Sequence, residues 1–547
     1  MRTTRREWQD SSPTSHDGPR ICEAHGPMTI LASCIVTATK PSTSSNIASM
    51  LWDAAARAGE RPAVIERAGI TDYTSLWARA AGVHAALRAL GTRPNDRVGI
   101  LLDRGAEAVA AYFGAIAAGA VAVIVNEKLR PRQIEHMLDH AGVTLLISSA
   151  ELLARQPRAL EIRASIADVG TMPAAAEPGS EPAPLPRIGA DFAQIIYTSG
   201  STGLPKGVVV THDNLWSGIR TVATYLGITG DDRIASLLPL NSVYGMNQLL
   251  CSVLSAASLV VEVSPLPHEI DATLRAREVT VLAAVPPLWL QLLGLPRFGS
   301  EPIPSLRVLQ NAGGRLPTSA VRQLRAAQPH ALLFLMYGLT EALRSTYLPP
   351  DEVDQRPGSM GKAIPGAEIL LLREDLTPCD TDEVGEVVQR GPTVTAGYWG
   401  DAEGTARVFR PNPLRPAGAP DTERVVFSGD LARRDAEGFL YYVGRRDRMI
   451  KTLGHRVGPD EIVEVLHASG EIVEALVDAE DDDERGARIV AYVVLVTDGS
   501  VERLKAFCRR ELPRHMQPSR IETRTALART ASGKHDVNAE RARHAFA

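Results

Sequence analysis

Between residues 98 and 148, short apolar runs alternate with helical patterns, in the order 98–102, 106–118, 121–125, 132–140 and 143–148. Apolar runs too short for a helix read as strands buried on both faces, and helices between such strands are the crossovers that parallel pairing requires. The alternation therefore predicts an α/β sheet flanked by helices. Residues 108–125 are eighteen in number and carry no charge. They are rich in Ala and Gly, and Gly119 divides a helix-like part from a β-branched part. A buried helix followed by a buried strand is expected there, with no membrane span.

The chain is long enough for roughly three or four folding units. Residues 1–45 are rich in Arg, Ser, Thr and Pro without apolar periodicity and are expected to form a disordered extension. Ordered sequence should begin near Asn46, as the cap of a helix through Met50, Leu51 and Ala54. The Ala/Pro-rich stretch 171–190 reads as a connecting loop. Near residue 445 the character changes, which divides a large region, 46–445, from a small one, 446–547. In the latter, Pro459 and Asp460 open a helix carrying Ile462, Val463, Val465 and Leu466, ended by Gly470. Strand-like runs 472–477 and 489–496 flank an acidic turn, Asp481-Asp482-Asp483-Glu484, and a helix with Leu504, Phe507, Cys508 and Leu512 follows. This small unit reads as α+β.

With 59 basic and 64 acidic residues the net charge is −5, which gives no long-range attraction to phosphate. A polybasic nucleic-acid or membrane-surface protein is excluded, and any nucleotide must be gripped locally. The five cysteines, Cys22, Cys34, Cys251, Cys379 and Cys508, show no CxxC or Cys/His spacing. That argues against a disulfide framework or a zinc site and for a reducing, cytoplasmic setting. Leu31-Ala32-Ser33-Cys34 looks like a lipoprotein cleavage box, but Glu23, His25 and Pro27 leave no apolar core before it, so export is not expected and Met28 is an alternative start.

The segment Tyr197-Thr198-Ser199-Gly200-Ser201-Thr202-Gly203-Leu204-Pro205-Lys206-Gly207 lies between two apolar runs. Hydroxyl residues interleaved with glycines let N–H and O–H groups converge on an anion, and Lys206 adds a charge. A phosphate-binding loop is the natural reading. It is not a Walker loop, because Pro205 and Gly207 flank the lysine.

This loop resembles the signature of the adenylate-forming superfamily, which comprises acyl- and aryl-CoA synthetases, adenylation domains and luciferases, and the resemblance extends over about residues 47–545. It implies a large N-terminal region of sheets flanked by helices and a small mobile α+β C-terminal domain. It also implies a two-step reaction with ATP and Mg²⁺. A carboxylate is joined to AMP with loss of pyrophosphate, and the acyl group then passes to a pantetheine thiol of CoA or of an acyl or peptidyl carrier protein.

Further segments match motif by motif. Tyr337-Gly338-Leu339-Thr340-Glu341 looks like the second nucleotide motif, in which Glu341 would hold the metal, Thr340 contact the α-phosphate and Tyr337 stack near adenine. Gly313 and Gly314 resemble the glycines that pass close to adenine. Asp430 would take the ribose hydroxyls and Arg445 ribose or phosphate oxygens. Asp447 matches the hinge, and Gly454 with Arg456 the loop lining the thiol tunnel. Lys534, in Thr530-Ala531-Ser532-Gly533-Lys534, matches the terminal lysine, which balances charge at the α-phosphate. Lys534, Thr198, Lys206 and Glu341 are thus the candidate catalytic residues. The nucleotide site adds Ser199, Gly200, Ser201, Thr202 and Gly203.

The acyl pocket aligns with Ser242, Val243, Tyr244, Met246, Val285 and Met336. Val243 stands where α-amino-acid enzymes carry an ammonium-binding aspartate, which disfavours α-amino acids. Ser242 stands where many acyl- and aryl-CoA synthetases carry histidine. A largely apolar pocket suits a fatty, aryl or alicyclic acid. The alternatives are an amino-acid-activating stand-alone adenylation enzyme, a luciferase-type oxidative enzyme and a non-catalytic nucleotide-binding homologue. Joint presence of Lys206, Glu341, Asp430, Arg445 and Lys534 argues against the last.

Overall fold

The runs at 98–148 form three adjacent parallel strands, with Arg97–Ile100 between Val121–Ile124 and Val143–Ser148. They are joined by the helices Ala106–Ala117 and Pro131–Ala141. Every residue of the first helix except Glu107 is buried, which accounts for its uncharged sequence. Gly119, at φ 77°, turns the chain from this helix into the next strand, in a conformation that costs a glycine nothing. The computed structural model describes residues 45–545 apart from 157, 173–181, 199–204, 453–454, 483–485 and 531–532. Among the described residues no helix is long and apolar enough to cross a membrane.

Among these residues the sheet that contains the three strands has seven, and a second sheet has nine. In the larger sheet Val308–Asn311 lies parallel to Val281–Ala284 on one side and Leu332–Tyr337 on the other. In the smaller, Phe192–Thr198 runs parallel to Val121–Ile124. Ligands of parallel sheets bind beyond the carboxyl ends of the strands. Those ends are where the Asn311, Tyr337 and Thr198 segments emerge. One hydrophobic cluster takes residues from both sheets, among them Ile100, Ala122, Val208, Ala283 and Phe334. A third sheet pairs Arg424–Arg434 with Leu440–Arg445, antiparallel, and sets Asp430 opposite Arg445.

Beyond residue 446 the elements have a sheet of their own, built from Ile472–Asp482, Gly486–Leu495 and Arg520–Thr523. They also have their own hydrophobic cluster, with Ile462, Leu466 and Leu504 from the two flanking helices at its centre. The molecule is thus mixed α/β, a large N-terminal region of sheets and helices followed by a small α+β one.

Two local expectations are corrected. The first helix runs Ser49–Ala58 and has Ala48 as its N-cap. Asn46 instead accepts from the amide of Ala48, a turn that asparagine favours, while its own amide donates to Ile116 and Leu185 carbonyls. Asp481 and Asp482, expected in a turn, continue the strand, because ladder pairing carries on past the apolar run to Asp482 and Gly486. The extension 1–44, with its Leu31-Ala32-Ser33-Cys34 box, lies outside the described residues.

Candidate active site

Phe192–Thr198 climbs through buried Ile195, Ile196 and Tyr197 and is paired antiparallel with Lys206–Thr211, so that Thr198 and Lys206 face each other. The Tyr197 hydroxyl is hydrogen-bonded to His140 Nδ1 at 2.8 Å, which fixes the end of the strand. Ser199, Gly200, Ser201, Thr202 and Gly203 lie outside the described residues. Gly397–Tyr398 adds to the edge of the same sheet by pairing with Val208 and Val209. There the Lys206 ammonium lies 5.5 Å from the Tyr398 ring centroid, and the Tyr398 hydroxyl donates to Glu341 Oε1 at 2.7 Å. Thr395 fixes the backbone of Glu341, giving both its N–H and its hydroxyl to the carbonyl at 2.9 Å. Burial, and then the Glu341 charge, raise the pKa of Tyr398, so it remains a donor. The short segment around Tyr398 therefore ties the phosphate-loop strands to the second nucleotide motif. Thr340 lies in the single turn Thr340–Ala342 that presents Glu341.

At the end of Leu332–Tyr337, the Tyr337 hydroxyl donates to Asp430 Oδ2 at 2.5 Å. Arg445 Nη1 lies 3.3 Å from Asp430 Oδ1, and Arg445 Nε donates to Asp447 Oδ1 at 3.2 Å. Burial raises the pKa of Asp430 against the opposing pull of Arg445 and Tyr337. Burial also disfavours the Arg445 charge, but Asp430 and Asp447 outweigh it and its pKa is raised. Asp430 Oδ1 is buried and makes no hydrogen bond within the protein. An open, buried acceptor of this kind suits a hydroxyl such as those of a ribose. Gly338 sits tightly against the backbone of residues 343 and 344.

The small region closes the site. A Cβ on Gly313, whose φ is 82°, would stand 3.3 Å from Lys534 Cε and 3.2 Å from Val285 Cγ1. A side chain there would crowd the lysine and strain the backbone, which glycine avoids. Gly314 faces the Pro286 ring in the same way. Lys534 is held by its own loop, its N–H donating to Thr530 Oγ1 at 3.2 Å and its carbonyl accepting from Thr530 N at 2.7 Å. Solvent in the cleft reaches its side chain although protein packs around it. Desolvation lowers its pKa, Asp430 and Glu341 raise it and Arg445 lowers it. Lys534, Asp430, Arg445 and Glu341 thus share one electrostatic field.

For a divalent cation, the described residues hold no cluster of three or more metal-ligating side chains. Glu341, facing Lys206 across Tyr398, fits a Mg²⁺ that takes most of its oxygens from phosphate and water. Asp447 lies in the turn Arg446–Arg448. Gly454 is outside the described residues. Arg456 falls on the strand His455–Val457.

The six expected pocket residues separate. Ser242 is the N-cap of Val243–Ser255, its hydroxyl accepting from Gly245 N and donating to Pro239 O. The Tyr244 hydroxyl donates to Gln310 O, and Met336 sulfur accepts from the Tyr225 hydroxyl. Val285 lines a cavity of ≈250 Å³ with Leu238, Asn241, Arg104, Arg529 and Gly533. Val243 and Met246 line a smaller one with Arg344. Sequence reasoning missed Tyr398 and Arg344. Each is a single residue outside any motif, and the aromatic pair Tyr398-Trp399 after Gly397 was the signal for the first.

Residues 51–399 match the family model of AMP-binding enzymes, and residues 461–534 that of the AMP-binding enzyme C-terminal domain. The chain is 30% identical over 443 residues to a 2-succinylbenzoate–CoA ligase of Bacillus velezensis, covering 81% of this chain and 86% of the relative. It is 30% identical to a feruloyl-CoA synthase of an Amycolatopsis species, over 84% of this chain and 91% of the relative. Among solved structures, o-succinylbenzoate CoA synthetase of Bacillus subtilis in complex with ATP and magnesium ion matches with a TM-score of 0.77 at 28% identity, covering 89% of this chain and 98% of that one.

Proposed function

The chain belongs to the AMP-binding enzyme family, and from that premise we propose that it is an AMP-forming acid–thiol ligase acting on a carboxylic acid other than an α-amino acid. The supporting observation is the convergence of Lys534 on Gly313, within the field of Asp430, Arg445 and Glu341. These residues come from distant parts of the chain, and each suits one part of a nucleotide and its reacting carboxylate.

Asp430 accepts from the ribose, and Arg445 keeps it ionised. Lys206 and the loop after Thr198 take the phosphates. Magnesium, when bound at Glu341, supplies positive charge to the triphosphate oxygens. Lys534 orients the attacking carboxylate and offsets the charge that develops at the α-phosphate, in a cleft where such charges interact strongly. Pyrophosphate leaves and an acyl-adenylate remains. Its carbonyl is then open to a thiol, and the relatives named as CoA ligase and CoA synthase support CoA as the acceptor.

The test is pyrophosphate release from Mg-ATP over a panel of fatty, aryl, alicyclic and amino acids, with and without CoA. Acid-dependent release that turns over with CoA is expected. Release that stalls after one turnover until a carrier protein is added would replace CoA as the acceptor, and none with any acid would overturn the ligase reading.

A further inference from the structure

Arg344 is only 2% exposed, yet it forms no ion pair among the described residues. Its Nη2 reaches Asn247 Oδ1 at a long 3.4 Å, its guanidinium lies 4.7 Å from the Tyr244 ring centroid, and its Nε makes no hydrogen bond. Gln194, also 2% exposed, accepts from the Tyr112 hydroxyl but leaves its Nε2 without a partner. Both side chains line the same space of ≈20 Å³, with Val243 and Met246 on its walls. A buried guanidinium with no counter-charge is a costly arrangement, and folded proteins pair such groups.

The backbone is bent to produce it. Leu343, a non-glycine residue, has φ 54° and ψ −62°, and Arg344 N donates across it to Ala342 O at 2.6 Å. This is the strained form of the γ-turn, and such strain gathers at functional sites. It directly follows the turn that carries Glu341. The Arg344 Cα lies 3.3 Å from where a Cβ on Gly338 would stand, so the backbone of Arg344 packs against the nucleotide motif.

We propose that the acid activated by this chain carries a second carboxylate, which Arg344 and Gln194 hold in this space; the proposal rests on the ligase reading above. Two unpaired donors, one of them permanently charged, call for an anionic acceptor and reject an ammonium. The space is small, and a planar carboxylate matches a guanidinium through paired N–H···O bonds, whereas a tetrahedral phosphate or sulfonate is bulkier. An acid lacking the second group would leave both donors buried and unpaired, which is the situation in which sites discriminate most strongly.

The experiment measures pyrophosphate release from Mg-ATP with matched pairs of aryl and short-chain acids. Members of a pair share a skeleton and differ by a distal carboxylate or a methyl group. Wild type, Arg344→Met, Arg344→Lys and Gln194→Leu are compared, with thermal unfolding confirming that each variant folds. Wild type should prefer the dicarboxylate by about 10²-fold or more in kcat/KM, and Arg344→Met should bring that preference within about tenfold. Gln194→Leu should reduce it and Arg344→Lys retain part of it, so these two decide if Arg344→Met does not fold. A preference for monocarboxylates, or a ratio that no variant changes, overturns the proposal and leaves the ligase intact. Absence of release with every acid, from a wild type that still binds Mg-ATP, overturns the ligase reading and this proposal with it.

Discussion

The small region brings the Lys534 ammonium against Gly313, among charges that oppose and support it: desolvation and Arg445 lower its pKa, while Asp430 and Glu341 raise it. Removing it should therefore impair the step in which charge builds at the α-phosphate and spare the step that follows. Lys534→Ala is expected to slow acyl-adenylate formation by about 10²-fold or more, while thioester formation from supplied acyl-adenylate stays near wild type. Equal damage to both would contradict its assignment. The two titrating groups also set the pH range. Lys534 acts protonated and its pKa is lowered, so adenylation should fall as pH rises through a value below that of ordinary lysine. Asp430 acts ionised and its pKa is raised, so on the acid side adenylation should be lost at a higher pH than an ordinary aspartate would give. Lys534→Arg should move the alkaline limb upward and leave the acid limb in place. A pH–rate profile of the first half-reaction, with wild type and Lys534→Arg in parallel, checks both limbs.

The helix Val243–Ser255 carries three of the residues matched to the acyl pocket, and Ser242 caps it. Val243 and Met246 line a small cavity with Leu343 and Arg344. Ser242, matched to a pocket position, spends its hydroxyl on the helix terminus instead, accepting from Gly245 N at 3.0 Å. Ser242→Ala should accordingly cost about 1 kcal/mol in urea unfolding and leave the ranking of acids unchanged. A changed ranking without loss of stability would return Ser242 to the pocket. Elements of the parallel sheets were legible because burial on both faces leaves a continuous apolar run in the sequence. The glycine and hydroxyl motifs were legible because anion binding needs several small residues together. Arg344 and Tyr398 were not, since the groups near each are distant in sequence: Tyr398 meets Glu341, and Arg344 meets Asn247 and the Tyr244 ring. Such partners meet only after the two sheets have packed, so no local pattern records them.

At the scale of the whole molecule, the small region has its own core and meets the large one partly through polar contacts. Glu464 accepts from Thr318 N at 3.0 Å and lies 3.6 Å from Arg315, in a pair that solvent partly reaches. Pairs of this kind contribute about 1 kcal/mol or less, so this one does little to hold the region in one position. Lys534 occupies the cleft here, and Gly533 and Arg529 border the larger cavity beside Val285. A thiol approaching the acyl carbonyl from that side needs the loop to withdraw. The chain between the regions passes through the turn Arg446–Arg448, where the Asp447 side chain is more than half exposed and its carboxylate is engaged by Arg445. Backbone rotation at this residue would move the small region while disturbing little else. Proline fixes φ near −65°, which a single 3₁₀ turn accommodates and a rotated backbone does not. Asp447→Pro should then leave single-turnover adenylation within about threefold of wild type and slow thioester formation from supplied acyl-adenylate by about tenfold or more. Rapid-quench measurement of the two half-reactions separates them, and an unchanged second step would move the pivot away from Asp447.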